Sequence, residues 1–400
     1  MRAVDRGESV GLMEPLRIAS DSRLRVPLND IALDLVASSA AFRSMLPENI
    51  ISALAKLVRG MNCYYSNLIE GHDTHPVDIE RALKDDYSNN TRNRNLQLEA
   101  RAHVEVQGWI DDGGLEGRAA TVDGLLEIHR RFYLLLPDEL LWVEDPQDGS
   151  REKVIPGELR TRDVKVGRHT AVSPGAVNRF LNKFEQVYFQ LGRAETVIST
   201  ASAHHRLLWI HPFLDGNGRV ARLLSHAMFL QALNTGGVWS VARGLARSEQ
   251  EYKALLANCD KGRRNDLDGR GNLSEEALVE FTRFFLHVCL DQVDYMISLM
   301  QPDRLKNRVL FWVHEQIAQG KLPSKSNRLL EAVLQRGGEL PRGDVAAVLD
   351  LGSRQARRIV SALIEEEALS SKSSRAPLLL NFPAHLAGQW MPGLFPEKLP

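Results

Sequence analysis

The chain has 400 residues, 50 Lys+Arg against 51 Asp+Glu, and 44% hydrophobic and 25% charged residues. That length exceeds what one compact core fills and predicts two or three domains of ordinary globular composition. A net charge of −1 excludes a polycation coating nucleic acid along its whole length, while leaving room for a local basic patch. Three widely spaced cysteines (Cys63, Cys259 and Cys289) give neither a disulfide framework nor a CxxC zinc site. Their usage fits a reducing, cytoplasmic setting, and Cys63 and Cys259 read as buried thiols. Residues 1–20 carry Asp5, Glu8 and Glu14 and lack the apolar core of a secretory signal. The most apolar long segment, Leu278 to Met300, is interrupted by Glu280, Arg283, Asp291 and Asp294, so no membrane partner is expected.

Helical periodicity dominates the chain. Ile50 to Val58 and Met61 to Glu70 each repeat apolar residues at helical spacing, and Gly71 is placed to end the second run. Further helices are expected from Pro76, over Asn95–Asp111, and over Val122–Leu135. Ile155 to Val172 differs: turn glycines at Gly157 and Gly167 and alternation at Val164-Lys165-Val166 predict a short β-hairpin. Helices resume over Pro174–Leu191, over Glu195–Ile210, after Gly216, and over Ser274–Met300. Residues 301–325, with Pro302, Gly320 and Pro323 around a short helix, read as a connection. In the last unit come helices over Leu329–Gln335, Arg342–Leu349 and Ser353–Glu366, then strand-like ends over Leu369–Leu380. That order is the order of a winged helix.

The stretch His211-Pro-Phe-Leu-Asp-Gly-Asn-Gly-Arg-Val-Ala-Arg222 concentrates chemistry. A glycine-rich turn feeding a helix N-terminus presents free N–H groups and a positive dipole end, which together hold an anion. Arg219 and Arg222 stand three residues apart and project from one face, two guanidinium forks beside that cradle. Asp215 offers a hard oxygen suited to Mg2+, and His211 a base near neutral pH. The loop lacks the Lys-Ser/Thr of a Walker A motif.

This stretch closely resembles the Fic family, whose signature HxFx(D/E)GNGRxxR is met at every specified position by residues 211–222. The resemblance covers about residues 30–300 and implies transfer of AMP from ATP, with Mg2+, to a Tyr, Thr or Ser hydroxyl of a target protein or of the chain itself. It implies His211 as base, Asp215 for the metal, Gly216, Asn217 and Gly218 as phosphate cradle, and Arg219 and Arg222 on the phosphates. Pro156 to Gly167 is similar to the family's flap hairpin, which aligns a target segment by strand pairing; Val164, Lys165, Val166 and Gly167 are its docking residues. Ser66 to Gly71 resembles the family's (S/T)xxxE(G/N) inhibitory motif. In inhibited members the glutamate, here Glu70, pairs with the second arginine of the signature, here Arg222. Glu251 to Asn258 resembles the helix lining the adenine pocket, with Tyr252 and Asn258 as contacts.

Other features are weaker. His204 and His205 are adjacent on a helix without a third ligand at suitable spacing and read as structural. His314-Glu315 lacks the second histidine of a zincin. Residues 326–382 hold eight Lys/Arg against seven Asp/Glu, but Arg354, Gln355, Arg357 and Arg358 open the third helix without an acid. The expected architecture is therefore mainly α. Residues 1–115 form an N-terminal helical segment with the inhibitory motif, and 116–300 a Fic-type helical core with a small β-hairpin flap. A linker follows over 301–325, then a C-terminal winged helix-turn-helix domain over 326–400. Removal of AMP at the same site, and a nucleotide-sensing transcriptional regulator, are the alternative activities. A homodimer and DNA remain open as partners.

Overall fold

The computed structural model describes residues 3–144, 149–167 and 169–395. It is mainly helical, with three small antiparallel sheets among the described residues. The chain divides into two compact units. One comprises Met1–Ala40, Asn62–Thr235 and Ser240–Gln292, the other Ala41–Met61, Gly236–Trp239 and Val293–Pro400.

Helices α1 (Val26–Met45), α2 (Glu48–Ile69), α3 (Pro76–Leu83), α4 (Thr91–Asp111) and α5 (Val122–Leu134) come first. The two helical runs expected over 50–58 and 61–70 are one helix, α2. Leu54, Leu57, Val58, Met61 and Tyr65 form an unbroken buried stripe at helical spacing that carries the helix through Gly60. Its end is a Schellman turn, in which His72 N–H donates to Asn67 O at 2.9 Å and Gly71 N–H to Leu68 O at 2.9 Å. Glu70 is thereby the last residue before the chain reverses.

A hairpin the sequence reading did not anticipate follows α5, with β1 (Trp142–Glu144) antiparallel to β2 (Arg151–Lys153). Its strands are three residues long and charged, so no alternation marks them. The expected 155–172 hairpin is shorter than its sequence pattern. Only β3 (Lys165–Val166) and β4 (His169–Thr170) pair, and Arg168 lies outside the described residues. Val164 O still accepts from Ala171 N–H at 3.2 Å, while residues 155–163 form no strand and the buried Arg160 side chain engages Arg162 O, Val172 O and His211 O.

The centre of the first unit is α6 (Val177–Tyr188), α7 (Arg193–Ile210) and α8 (Asn217–Leu233), with α7 and α8 packed closely along their lengths. Both are buried on nearly every face, including polar residues such as His204, Arg206, Arg219 and Arg222. Phe180, Leu181 and Phe184 of α6, Leu207 and Ile210 of α7, and Val220 and Leu224 of α8 share one core with Ile128 and Phe132 of α5. Helices α9 (Val241–Arg247), α10 (Glu249–Cys259) and α11 (Glu275–Met300) follow. The three cysteines are free and buried.

The N-terminal segment is laced to this unit by polar contacts. Arg206 donates to Pro15 O at 2.7 Å, Leu273 N–H to Glu14 O at 2.7 Å, and Arg17 and Arg25 both reach Glu195.

In the second unit, α12 (Pro302–Ala318) buries Leu305, Val309, Trp312 and Val313 and packs on α13 (Ser326–Gln335). Strand β5 (Glu339–Leu340), α14 (Val345–Leu349), α15 (Ser353–Glu365), β6 (Leu369–Ser370) and β7 (Leu378–Leu380) complete a small α/β body. The sheet order is β5-β7-β6, so the expected terminal hairpin gains a third strand before the two-helix turn. A last helix, α16 (Ala384–Trp390), sets Trp390 edge-on to Trp312.

Candidate active site

The 211–222 stretch is the turn between α7 and α8. Helix α7 stops because His211 adopts the left-handed region (φ 52°) and Pro212 cannot continue the ladder. The turn closes on Asn217, whose Oδ1 accepts from Phe213 N–H and whose Nδ2 donates to Phe213 O, both at 2.9 Å. The Asn217 side chain is thus spent on the turn, and its expected part in an anion cradle falls to its backbone N–H. Gly216 precedes α8 at φ 80°, where an added Cβ would sit 2.8 Å from the Tyr133 hydroxyl; conformation and space both require glycine.

Helix α8 starts without a side-chain cap, so its first N–H groups are open to an anion. Beside that first turn stands an internal anion, Glu70. A Cβ on Gly218 would collide with Glu70 Oε1, so the carboxylate lies directly over the first turn of α8. Arg222 holds it, donating from one terminal nitrogen to Glu70 Oε1 at 2.5 Å. The same guanidinium donates from Nε to Ser66 Oγ at 2.8 Å and reaches Ser66 O at 3.3 Å. Arg222 is buried, while about a third of the Glu70 side chain remains open. Partial enclosure works against the charge on Glu70, but Arg222 and Arg219 outweigh it and keep the carboxyl below its ordinary value.

Arg219 is also buried, with Glu99 of α4 at 2.9 Å and the Phe132 ring under its guanidinium at 5.0 Å. Its Nε has no hydrogen-bond partner among the described residues. Asp215 accepts from the Tyr133 hydroxyl at 2.6 Å and leaves half of its side-chain surface open. Its enclosure disfavours the charge, yet Arg219, Tyr133 and the Gly216 amide hold it ionised below the usual carboxylate range. An ionised carboxylate with an open oxygen fits a Mg2+ ligand. An uncapped helix start beside two arginines, one with a free buried Nε, fits phosphate oxygens.

Burial pushes His211 down to about 4, with Arg160 and His169 adding to the effect and the Leu208 carbonyl and Asp215 opposing it. The ring is therefore neutral at pH 7. Its Nδ1 lies 3.3 Å from Leu208 O, and a carbonyl only accepts, so the proton sits on Nδ1 and Nε2 keeps a free lone pair.

Other expected residues are placed as follows. Lys165 and Val166 are exposed on β3, flanked by Val164 and by Gly167. Tyr252 is buried with its hydroxyl against His204 Nε2 at 2.7 Å, and Asn258 accepts from Lys261 at 2.8 Å; both sit on α10. His204 and His205 are buried and bonded to Ser225 and Asp260. The sequence reading missed Tyr133, Glu99 and Arg160. Each is an ordinary residue type in an ordinary helical or loop pattern, and only its distant partner gives it a role.

Residues 119–229 match the sequence model of the Fic/DOC family. The chain carries a Fic domain. Relatives named "Protein adenylyltransferase Fic" from Drosophila grimshawi and Drosophila ananassae are 35% and 34% identical over 138 residues, 32% of this chain. The chain covers about a quarter of the length of these curated relatives, 26% and 25%. The fold is similar to a Fic family protein from Desulfovibrio desulfuricans G20, with a TM-score of 0.53 at 16% identity, covering 91% of this chain and 98% of that one. The matched span contains the β3–β4 hairpin and the whole 211–222 turn, but neither Glu70 nor α10.

Because Asn217 makes both bonds that close the turn, Asn217→Ala is expected to lower stability by about 1–3 kcal/mol. Thermal unfolding at pH 7 measures this; an unchanged midpoint contradicts the assignment.

Proposed function

We propose that this Fic domain transfers AMP from ATP to a hydroxyl side chain of a protein, and that Glu70 restrains it in cis. The observation that carries the reading is an internal anion set against an uncapped helix start: the Glu70 carboxylate beside the first turn of α8, on Arg222. A site built for negative charge, with a neutral histidine at its rim, suits attack on a phosphate ester. In the reaction the target hydroxyl oxygen bonds to the α-phosphorus, its proton passes to His211 Nε2, and the α–β anhydride bond breaks to release pyrophosphate. Arg219 and Arg222 would neutralise the phosphates, and Asp215 would hold a Mg2+ that offsets charge on them. The exposed edge of β3 would align the target segment by strand pairing.

Restraint follows from competition. While Glu70 occupies Arg222, that arginine is unavailable to a terminal phosphate. Keeping the closed state at 99:1 requires about 2.7 kcal/mol. That lies between an exposed ion pair, about 0–1 kcal/mol, and the loss of one partner of a buried pair, about 3–5 kcal/mol. Glu70, about a third open and paired to a buried arginine, is such an intermediate case.

Glu70→Gly is expected to raise incorporation of label from [α-32P]ATP into the protein itself or an added target. His211→Ala in that background should reduce it roughly 10²–10⁴-fold. Equal labelling with and without Glu70 contradicts the restraint. Labelling that survives His211→Ala contradicts the base.

A second reading concerns the C-terminal body, whose helix–turn–helix and three-stranded sheet suit a winged helix that contacts duplex DNA. Arg354, Arg357 and Arg358 are exposed along one side of α15, and Lys372 and Arg375 in the β6–β7 loop. None of the five side chains has an ion pair or hydrogen bond among the described residues. Glu365 lies two turns beyond Arg358, away from the end that enters a groove in this motif. With five phosphates engaged, raising salt fourfold should weaken the full chain's binding to a random 20-base-pair duplex about 500-fold. Fluorescence anisotropy at 50 and 200 mM NaCl reads this; no binding at about 100 µM protein in low salt ends the DNA reading.

A further inference from the structure

Arg160 lies within the flap-like 156–167 segment but has been given no role so far, and its side chain makes four hydrogen bonds near the 211–222 turn. It is 3% exposed. Its Nε donates to His211 O at 2.7 Å, one terminal nitrogen to Arg162 O at 2.8 Å, and the other to Val172 O at 2.5 Å and Ile210 O at 3.4 Å. Its own backbone N–H donates to Pro212 O at 3.0 Å. Among the described residues no carboxylate pairs with it.

A guanidinium buried without a counter-ion is costly unless its donors are all used on something that needs them. Here the acceptors are of two kinds. Ile210 O and His211 O are end-of-helix carbonyls of α7, which have no partner within the helix. Arg162 O and Val172 O flank the β3–β4 hairpin, three residues before β3 and two after β4. One planar fork therefore ties both roots of the flap to the backbone of the residue proposed as base.

The residue it holds is in a conformation that needs holding. His211 is a non-glycine residue at φ 52°, a sparsely populated region that persists where surrounding contacts fix it. The bond from Arg160 Nε to its carbonyl supplies one such contact from outside α7.

The flap has a second, independent brace. Arg6 makes two bonds to Asp163 at 2.8 and 2.9 Å, and Glu8 accepts from Ser173 N–H and Oγ at 2.8 and 2.6 Å. Val4 O accepts from Gly175 N–H at 2.8 Å. These contacts keep the flap attached when Arg160 is changed, so its loss is not equivalent to unfolding the hairpin.

We propose that Arg160 is a positioning residue that sets the distance and register between the flap, where a target strand would lie, and His211, which would take its proton. The inference rests on the adenylyl-transfer reading of the site. Arg160 touches neither nucleotide nor target; it acts through the His211 carbonyl and the flap backbone. Lysine supplies the charge but only a single point of donation, whereas methionine supplies bulk alone.

The test uses the full chain with Glu70→Gly as background. Adding Arg160→Met should lower the rate of label transfer at saturating ATP by about 100-fold, the size expected for misalignment of reacting groups. The ATP concentration giving half of that rate should stay within about twofold. Arg160→Lys should recover about a tenth of the lost rate or more, since it keeps one charged donor. Hydrogen exchange of amides 160–175 should quicken in the methionine variant while amides 217–233 are unchanged. An unaltered rate, an equal loss in ATP affinity, or a lysine variant no better than methionine overturns the proposal. If the Glu70→Gly background itself transfers no label, the adenylyl-transfer reading fails. The exchange rates then still decide whether Arg160 fixes the flap, and unchanged protection of 160–175 rejects it.

Discussion

A single helix start, the first turn of α8, organises the site. It has no side-chain cap, it is approached by two buried arginines, and it lies beneath the Glu70 carboxylate. Positive potential without an internal partner is unfavourable inside a protein, so the site must be completed by something negative. In this chain the C-terminal end of α2 supplies it. The proposed restraint and the proposed catalysis are two occupancies of that one position, by a carboxylate or by a phosphate.

Around that position each side chain has a division of labour that its residue type permits. Asn217 closes the turn with both ends of its amide, Tyr133 orients Asp215, Glu99 steadies Arg219, and Arg160 holds the His211 carbonyl. Among the described residues, the groups around the turn left with unused capacity include the N–H groups opening α8, Arg219 Nε, one oxygen of Asp215, and His211 Nε2. Burial keeps the histidine neutral, and the Leu208 carbonyl fixes which nitrogen is free. That combination suits the proposed role of a base at neutral pH.

Much of this was legible in the sequence because the turn is contiguous. Twelve residues carry the glycines, the arginines, the acid and the histidine, and local geometry alone brings them together. The Glu70–Arg222 pair spans 152 residues and was legible only through a motif resemblance, since an SxxxEG before a helix end is otherwise unremarkable. Arg160, Tyr133 and Glu99 were not legible, because spacing along the chain does not encode partners 51, 82 and 120 residues away. The fold shows the same split. Long amphipathic helices were evident, but β1–β2 was not, since Trp-Val-Glu and Arg-Glu-Lys alternate too briefly to register. The break expected between residues 58 and 61 failed because a continuous buried stripe outweighs the modest cost of one helical glycine.

The central claim is that Glu70 and a terminal phosphate compete for Arg222. Titration calorimetry of ADP and of a non-hydrolysable ATP analogue against the native chain and Glu70→Gly tests it directly. Removal of Glu70 should tighten the triphosphate by about tenfold or more, about 1.4 kcal/mol, and leave ADP within about twofold. Equal changes for both nucleotides, or none for either, would contradict the account.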